Sequence, residues 1–312
     1  MLVSENSLNQ NNIIALTGNY SETNIHFADA WLRLGKKMIF FNEQKDQSNL
    51  PKKILFADSI KWNQLNLEHL GANPDRKAFL NELTTVYFIQ ENNKLFDIEK
   101  TCSKITKLLS INNSTSSDLQ LVFCLQQQQE NIETIKKIQN KNYPNYTILL
   151  SPKQIGFHDG FLIENLVEAG ENQLLFNKIN NTKELNYIFM QDLIGFLIAT
   201  NQNKNCANKT IWINESKCST EELLLKFNQY FFLENNIFKK NKFKNLLPKA
   251  CELSTPKQTL KFGEVSKNFK IKTDQEVFPT MASSIDRMFN SLTYAYKKNP
   301  QAKSLYPSAK SL

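Results

Sequence analysis

The sequence predicts an α/β protein: a doubly wound parallel sheet of Rossmann type, followed by a smaller C-terminal α+β domain of substrate-binding type. Three observations lead there. Short runs that are apolar throughout alternate with stretches of helical periodicity across the first half of the chain. Strands apolar throughout are buried on both faces, and strands separated by helices pair in parallel. Right-handed crossovers then make the doubly wound topology the expected one. After Pro152 the rhythm changes to shorter, mixed elements.

In order, Ile13-Ile14-Ala15-Leu16 is a buried strand closed by Thr17-Gly18. Ile25, Phe27, Ala28, Trp31, Leu32 and Leu34 form one face of a helix, and Gly35 stops it. Met38 to Phe41 and Ile54 to Ala57 read as the second and third strands, and Ala78 to Leu83 as a helix leading into a fourth strand at Val86 to Ile89. Helical spacing over Phe96 to Leu109, a fifth strand at Leu119 to Cys124, a helix over Ile132 to Ile138 and a sixth strand at Tyr146 to Leu150 complete the first half. Beyond Pro152 a helix is expected over Phe161 to Ala169, short strands at Gln173 to Phe176 and Leu185 to Phe189, and a helix from Asp192 to Thr200 that Asp192 helps to begin. Thr210 to Ile213 is a strand suited to return to the sheet. Ser219 with Glu222 three residues on marks a helix N-terminus, and Phe278 to Tyr296 reads as the final helix. The expected organisation is a frayed tail over 1–12, a Rossmann-like domain over 13–152, a mixed domain over 153–297 with a strand and helix (about 209–232) returning to the first, and a tail over 298–312.

Composition narrows the function classes. The chain has 312 residues, 41% hydrophobic and 22% charged, enough for a substantial buried core. No apolar run approaches the roughly 20 residues that span a bilayer, and the polar start lacks signal-peptide order. The five cysteines, Cys102, Cys124, Cys206, Cys218 and Cys251, show no C-x-x-C pair, so free thiols in a reducing cytoplasm are expected rather than disulfides or zinc. His26, His69 and His158 lie too far apart in sequence to suggest a metal site. The net charge of +8 does not read as nucleic-acid binding, because only Arg33, Arg76 and Arg287 are arginine. Lys239, Lys240, Lys242, Lys244 and Lys249, interleaved with Phe238 and Phe243, read as a solvated surface linker, with an acidic-partner site as the other reading. Trp31, Trp62 and Trp212 are assigned to packing, and His158-Asp159 to the surface. Phe231-Phe232 and Phe238 suit either the core or an exposed subunit patch. The Asn112–Ser117 and Gln126–Gln129 tracts are read as loop or helix-start segments without chemistry.

The order of motifs resembles the extended short-chain dehydrogenases, the NAD-dependent epimerase and dehydratase family, over about residues 12 to 297. Thr17-Gly18-Asn19-Tyr20-Ser21-Glu22-Thr23-Asn24 stands where that family has T-G-x-x-G-x-x-G, and Ala57-Asp58 resembles its adenine-contacting A-D. Val86 to Ile89 resembles its fourth strand, Thr147 to Pro152 its sixth strand ending in R-P, and Leu185 to Leu193 its R-D-F-V-x-V-D-D-V. The resemblance implies a dinucleotide, NAD or NADP, held by Gly18, Ser21, Asn24, Asn42 and Asp58. The departures bear on activity. Ser21 and Asn24 replace two of the family's glycines, whose absent side chains let backbone approach pyrophosphate. Asn42, beside Glu43, replaces the acidic residue that grips the ribose.

The family's Ser-Ser or Ser-Thr at the end of the fifth strand is here Leu125-Gln126, and its Tyr-x-x-x-Lys is missing from the helix that follows. Tyr294 to Lys298 and Tyr306 to Lys310 match that spacing far out of context. Gln126, Glu130 and Tyr143 are the remaining candidates for polarisation or proton transfer. The leading expectation is therefore a non-catalytic scaffold that pairs with a protein partner or assembles as a homo- or hetero-oligomer. The alternatives are a nucleotide- or NAD(P)-sensing regulator without turnover, and a divergent NAD(P)-dependent oxidoreductase or epimerase acting on a nucleotide sugar.

Overall fold

Strand β1 (Ile13–Thr17) carries the pattern from which the sheet is built, since all five of its residues are buried. A computed structural model of the chain describes residues 13–18, 22–41, 82–90, 96–111, 119–141, 143–156, 184–201, 203–234 and 285–298. Helix α1 (Glu22–Arg33) follows β1 and places Phe27 and Trp31, both fully buried, on one face. Phe27 meets Tyr87 at a centroid distance of 4.7 Å, and the Trp31 indole N–H donates to the Lys37 carbonyl at 3.0 Å. Gly35, at φ +70°, ends the helix in the left-handed conformation that glycine adopts without strain.

The sheet continues with β2 (Met38–Phe41), β3 (Leu83–Ile89), β4 (Gln120–Gln126) and β5 (Tyr146–Ser151), joined by α2 (Ile98–Ile111) and α3 (Ile132–Asn140). After β6 (Lys153–Ile155), β7 (Glu184–Phe189) and α4 (Met190–Thr200), the chain returns as β8 (Lys209–Trp212). Among the described residues the sheet has six strands in the order β2-β1-β3-β4-β5-β8, with parallel registers on both sides of β1 and between β5 and β8. This is the doubly wound arrangement that the apolar runs predict, with β8 beside β5 at the sheet's edge among the described residues. All seven β4 residues are buried, as befits a strand covered on both faces. Ile135, Ile138, Phe123, Ile148 and Leu150 lie in one core cluster with Trp212.

Polar side chains inside this core are bonded to it. The Tyr87 hydroxyl donates to the Leu197 carbonyl at 3.0 Å, Thr85 donates to Asn201 at 2.8 Å, and Thr147 donates to the Cys206 carbonyl at 2.9 Å. Each bond joins a strand to the α4–β8 segment, far along the chain. Without them a buried hydroxyl would cost more than its packing returns.

Of the described residues, those within 13–150 and Ile194–Ile213 form one compact unit, and those within Ser151–Leu193, 214–234 and 285–298 form another. In the second unit β7 pairs in parallel with β6 and antiparallel with β9 (Ser216–Ser219). Ser219 caps α5 (Thr220–Asn228), its hydroxyl accepting from the Glu222 N–H at 2.9 Å, as the sequence predicts. A π-helical turn, Gln229–Glu234, follows, and α6 (Ile285–Lys298) packs beside it through Phe227, Tyr230, Phe231 and Phe289. Lys226 and the Tyr230 hydroxyl both bond the Asp286 carboxylate, at 2.7 and 3.0 Å.

Two expectations are corrected. Strand β3 begins at Leu83, where the sequence predicts the end of a helix, because Leu83 pairs with Ile13. Asp192 does not begin α4: the helix starts two residues earlier at Met190, and the buried Asp192 carboxylate pairs with Arg287. Of the two settings the sequence leaves open for Phe231, the structure takes the core: it is fully buried against Phe289. Trp31 and Trp212 are buried as predicted. Trp62, Phe238, His158-Asp159, the 54–57 strand, the 161–169 helix, the 173–176 strand and the Lys239–Lys249 segment lie outside the described residues.

Two measurements check this core. Tyr87→Phe leaves the ring's packing and removes the donor to Leu197, so it should lower unfolding free energy by about 1 kcal/mol in urea titration. Burial pushes the Cys206 thiol up to about 11 and the Cys218 thiol up to about 12. Both lie above the unfolded thiol value of about 8.5, so the protonated thiols stabilise the fold fully below that value. This contribution is lost as pH rises toward the folded values. The urea midpoint should therefore be level near neutrality and fall above about pH 9; an unchanged midpoint up to about pH 11 would refute the assignment.

Candidate functional site

In open α/β sheets, ligands bind at the carboxyl ends of the strands, where the strand order reverses. Here that reversal lies between β1 and β3, and Gly18 stands at the carboxyl end of β1. Its φ of +126° is one that residues with a Cβ rarely adopt, and its N–H donates to the Phe41 carbonyl at 3.3 Å, tying the ends of β1 and β2. A Cβ on Gly18 would stand 3.4 Å from the Asn24 Nδ2. Asn24 is the third residue of α1 and fully buried, so a carboxamide lies alongside the turn where the resemblance calls for glycine. Gly18 and Asn24 are thus brought together. Ser21, Asn42 and Asp58 lie outside the described residues.

On the other side of the reversal, β3 and β4 end in a set of carboxamides. Gln90 follows β3 and its backbone N–H donates to the Cys124 carbonyl at 2.9 Å. Its side-chain Oε1 accepts the Gln126 backbone N–H at 2.8 Å and the Asn131 Nδ2 at 2.8 Å. Asn131 Nδ2 also donates to the Gln126 carbonyl at 2.7 Å, closing a ring of three residues. Gln126 Oε1 in turn accepts from Gln128 Nε2 at 2.7 Å. Gln127 reaches the other way, its Nε2 donating to the Leu150 carbonyl at 3.0 Å and the Ile213 carbonyl at 2.7 Å. One side chain thus spans the ends of β5 and β8. Gln90, Gln126, Gln127 and Asn131 are each at most 3% exposed.

The three sequence candidates fall into different settings. Gln126 is inside this network. Glu130 is exposed on the short 3-10 turn Gln129–Asn131 just beyond β4. Tyr143 is half-buried, its ring 6.4 Å from Phe123 and packed against the core. Burial, reinforced by Cys102, holds its phenol well above the ordinary tyrosine range. A phenol so placed stays protonated near neutral pH. Tyr294 lies on α6, exposed, in the other unit. Gln90, Gln127 and Asn131 escape the sequence reading, and the glutamine run read there as a tract without chemistry is where the network forms. Its one legible sign is a polar run immediately after the apolar stretch Leu121 to Leu125.

Among the described residues no group of three His, Cys, Asp or Glu is placed to hold a metal, and no helix is long and apolar enough to cross a membrane.

No family model matches the sequence, and no curated protein matches it significantly. Solved structures do match. A dTDP-glucose 4,6-dehydratase from Bacillus anthracis, solved in complex with NAD, aligns over 94% of this chain and 99% of its own at a TM-score of 0.59 and 11% identity. An NAD-dependent NDP-hexosamine 5,6-dehydratase of tunicamycin biosynthesis aligns over 92% and 98% at 0.56 and 10% identity. A UDP-glucose 4-epimerase from Thermotoga maritima, solved with UDP-glucose, aligns over 92% and 99% at 0.55 and 10% identity. The chain has the extended short-chain dehydrogenase fold, that of the NAD-dependent epimerases and dehydratases, as the motif order implies.

The network itself is open to test. Asn131→Ala strips two buried acceptors of a donor and should lower stability by about 2 kcal/mol. Combined with Gln90→Met, its effect should fall short of the sum by more than about 0.5 kcal/mol, because the two residues share one bond. Strict additivity would show that they do not act as a unit.

Proposed function

We propose that this protein binds a nucleotide, NAD or NADP in the first instance, at the carboxyl edge of its sheet and does not turn it over, acting as a regulator or partner protein. The observation that carries the reading is the replacement of proton-transferring groups by carboxamides at the ends of β3 and β4. Gln90, Gln126, Gln127 and Asn131 neither take nor give a proton near neutral pH; the amides of Gln90, Gln127 and Asn131 are committed to the strand ends, and the Gln126 carboxamide oxygen accepts from Gln128. General acid–base chemistry needs a group that titrates within reach of the reacting atom. Tyr143 is held protonated and packed on the core.

The nucleotide half of the reading rests on Gly18. Its conformation leaves backbone uncovered by a side chain at the end of β1, which suits a pyrophosphate, and Asn24 would offer its amide from α1. When bound, a nicotinamide ring would supply a hydride acceptor, and the residues described at this edge would orient it without activating a substrate hydroxyl. Cys102, Cys124, Cys206 and Cys218 carry no disulfide, which suits the cytoplasm as the compartment.

A second reading, a divergent epimerase or dehydratase acting on a nucleotide sugar, is favoured by the solved structures that share the fold. In it Glu130, the exposed carboxylate next to the network, takes the proton-transfer role, with Gln126 polarising the substrate.

Calorimetry of the full chain with NAD, NADP and their reduced forms separates these. The expected result is binding that Gly18→Ala weakens at least tenfold, with no change in NADH absorbance or sugar composition when dTDP-glucose or UDP-glucose is added. Turnover that Glu130→Gln abolishes would establish the second reading. A folded protein that binds none of the four leaves only the scaffold.

A further inference from the structure

The Gln127 amide has a fixed orientation, and its other end has chemical consequences. Its Nε2 lies between two backbone carbonyls, those of Leu150 and Ile213, at 3.0 and 2.7 Å. A carbonyl can only accept, so the NH2 must face them and the Oε1 must point away. That Oε1 is buried and has no hydrogen-bond partner among the described residues, on a residue only 2% exposed. A buried carbonyl oxygen left without a donor costs on the order of 1–3 kcal/mol, so this position is built for something that donates to it. The neighbouring amides do not serve: Asn131 and Gln128 direct their NH2 groups to Gln90 and Gln126. Gln127 stands just past β4, on the opposite side of β1 from β2.

We infer that Gln127 Oε1 is a specificity-determining acceptor for a neutral N–H or O–H donor on the distal half of the bound nucleotide. This deepens the nucleotide-binding reading and rests on it. A molecule anchored at Gly18 and extended along the carboxyl edge brings its distal group toward β4, β5 and β8. Two head groups carry the required donor, a nicotinamide carboxamide and a sugar hydroxyl. A carboxylate or phosphate carries only acceptors at neutral pH, so Oε1 repels it. Sites built to bond a donor discriminate strongly against an analogue that lacks it, because the buried acceptor is then left unpaired.

The test uses two pairs of probes, calorimetry and the full chain. NAD is compared with its 3-acetylpyridine analogue, which replaces the amide NH2 by a methyl group, and UDP-glucose with UDP. Gln127→Lys keeps N–H donors for Leu150 and Ile213 and removes the acceptor; thermal melting reports whether it folds. The expected result is about tenfold tighter binding of the donor-bearing member of one pair, a ratio that falls to near one in Gln127→Lys while the analogue or UDP binds as before. Discrimination in the NAD pair identifies the carboxamide as the donor, and in the UDP pair the sugar hydroxyl. Should the variant fail to fold, the two ratios in the unaltered protein decide. Equal affinities within both pairs would overturn the inference and assign Oε1 to an internal water. If none of these four probes, nor NADP or either reduced form, binds the folded protein, the nucleotide-binding reading fails, and this inference with it.

Discussion

A parallel sheet covered on both faces sends its unpaired strand-end amides and carbonyls to one edge, and how those groups are satisfied governs the rest of this structure. Inside the sheet the ladder consumes backbone polarity, and wholly buried strands such as β1 and β4 need nothing more. At the carboxyl edge the ladder stops. There β1 and β2 are closed by the Gly18 N–H on Phe41, β3 and β4 by the Gln90–Gln126–Asn131 ring, and β5 and β8 by the amide of Gln127. Side chains that would be free for chemistry in an open edge are here part of the sheet's own closure.

The same demand explains the polar groups deeper in the first unit. Tyr87, Thr85 and Thr147 each reach a backbone or amide oxygen of the segment that leads from α4 into β8. This long-range fastening lets a strand more than fifty residues downstream of β5 take its place beside it. Burial alone would draw Trp212 into the core; the directional bonds set the register.

Much of the fold was legible because its strands are continuous apolar runs, a pattern that needs no knowledge of partners. The Ser219 cap was equally legible, because a cap and its recipient N–H are three residues apart. Features that depend on distant partners were not. Leu83 looks helical locally and becomes strand because Ile13 lies beside it, and Asp192 looks like a cap and pairs instead with Arg287, far along the chain. The carboxamide network is the extreme case. Gln126, Gln127 and Gln128 are adjacent in sequence, yet the first has its backbone bonded by Gln90 and Asn131, the second spans two other strands and the third bonds the side chain of the first. A polar run says that amides are present, not which acceptors the fold will bring to them.

The two groups that point to a ligand do so with unequal force. Gly18 is required by the turn itself: at φ +126° with its N–H on Phe41, a glycine is needed there whether or not any phosphate is bound. Its retention is therefore compatible with a scaffold that has lost every ligand. Gln127 is different. Closing β5 and β8 uses only its NH2, and a side chain carrying donors alone would close them as well without burying an unmatched oxygen. A chain free of any ligand would gain stability by losing that oxygen, whereas a chain that binds a hydrogen-bond donor would keep it. The unmatched oxygen thus stands at the ends of β4, β5 and β8, where the sequence departs furthest from the family it resembles.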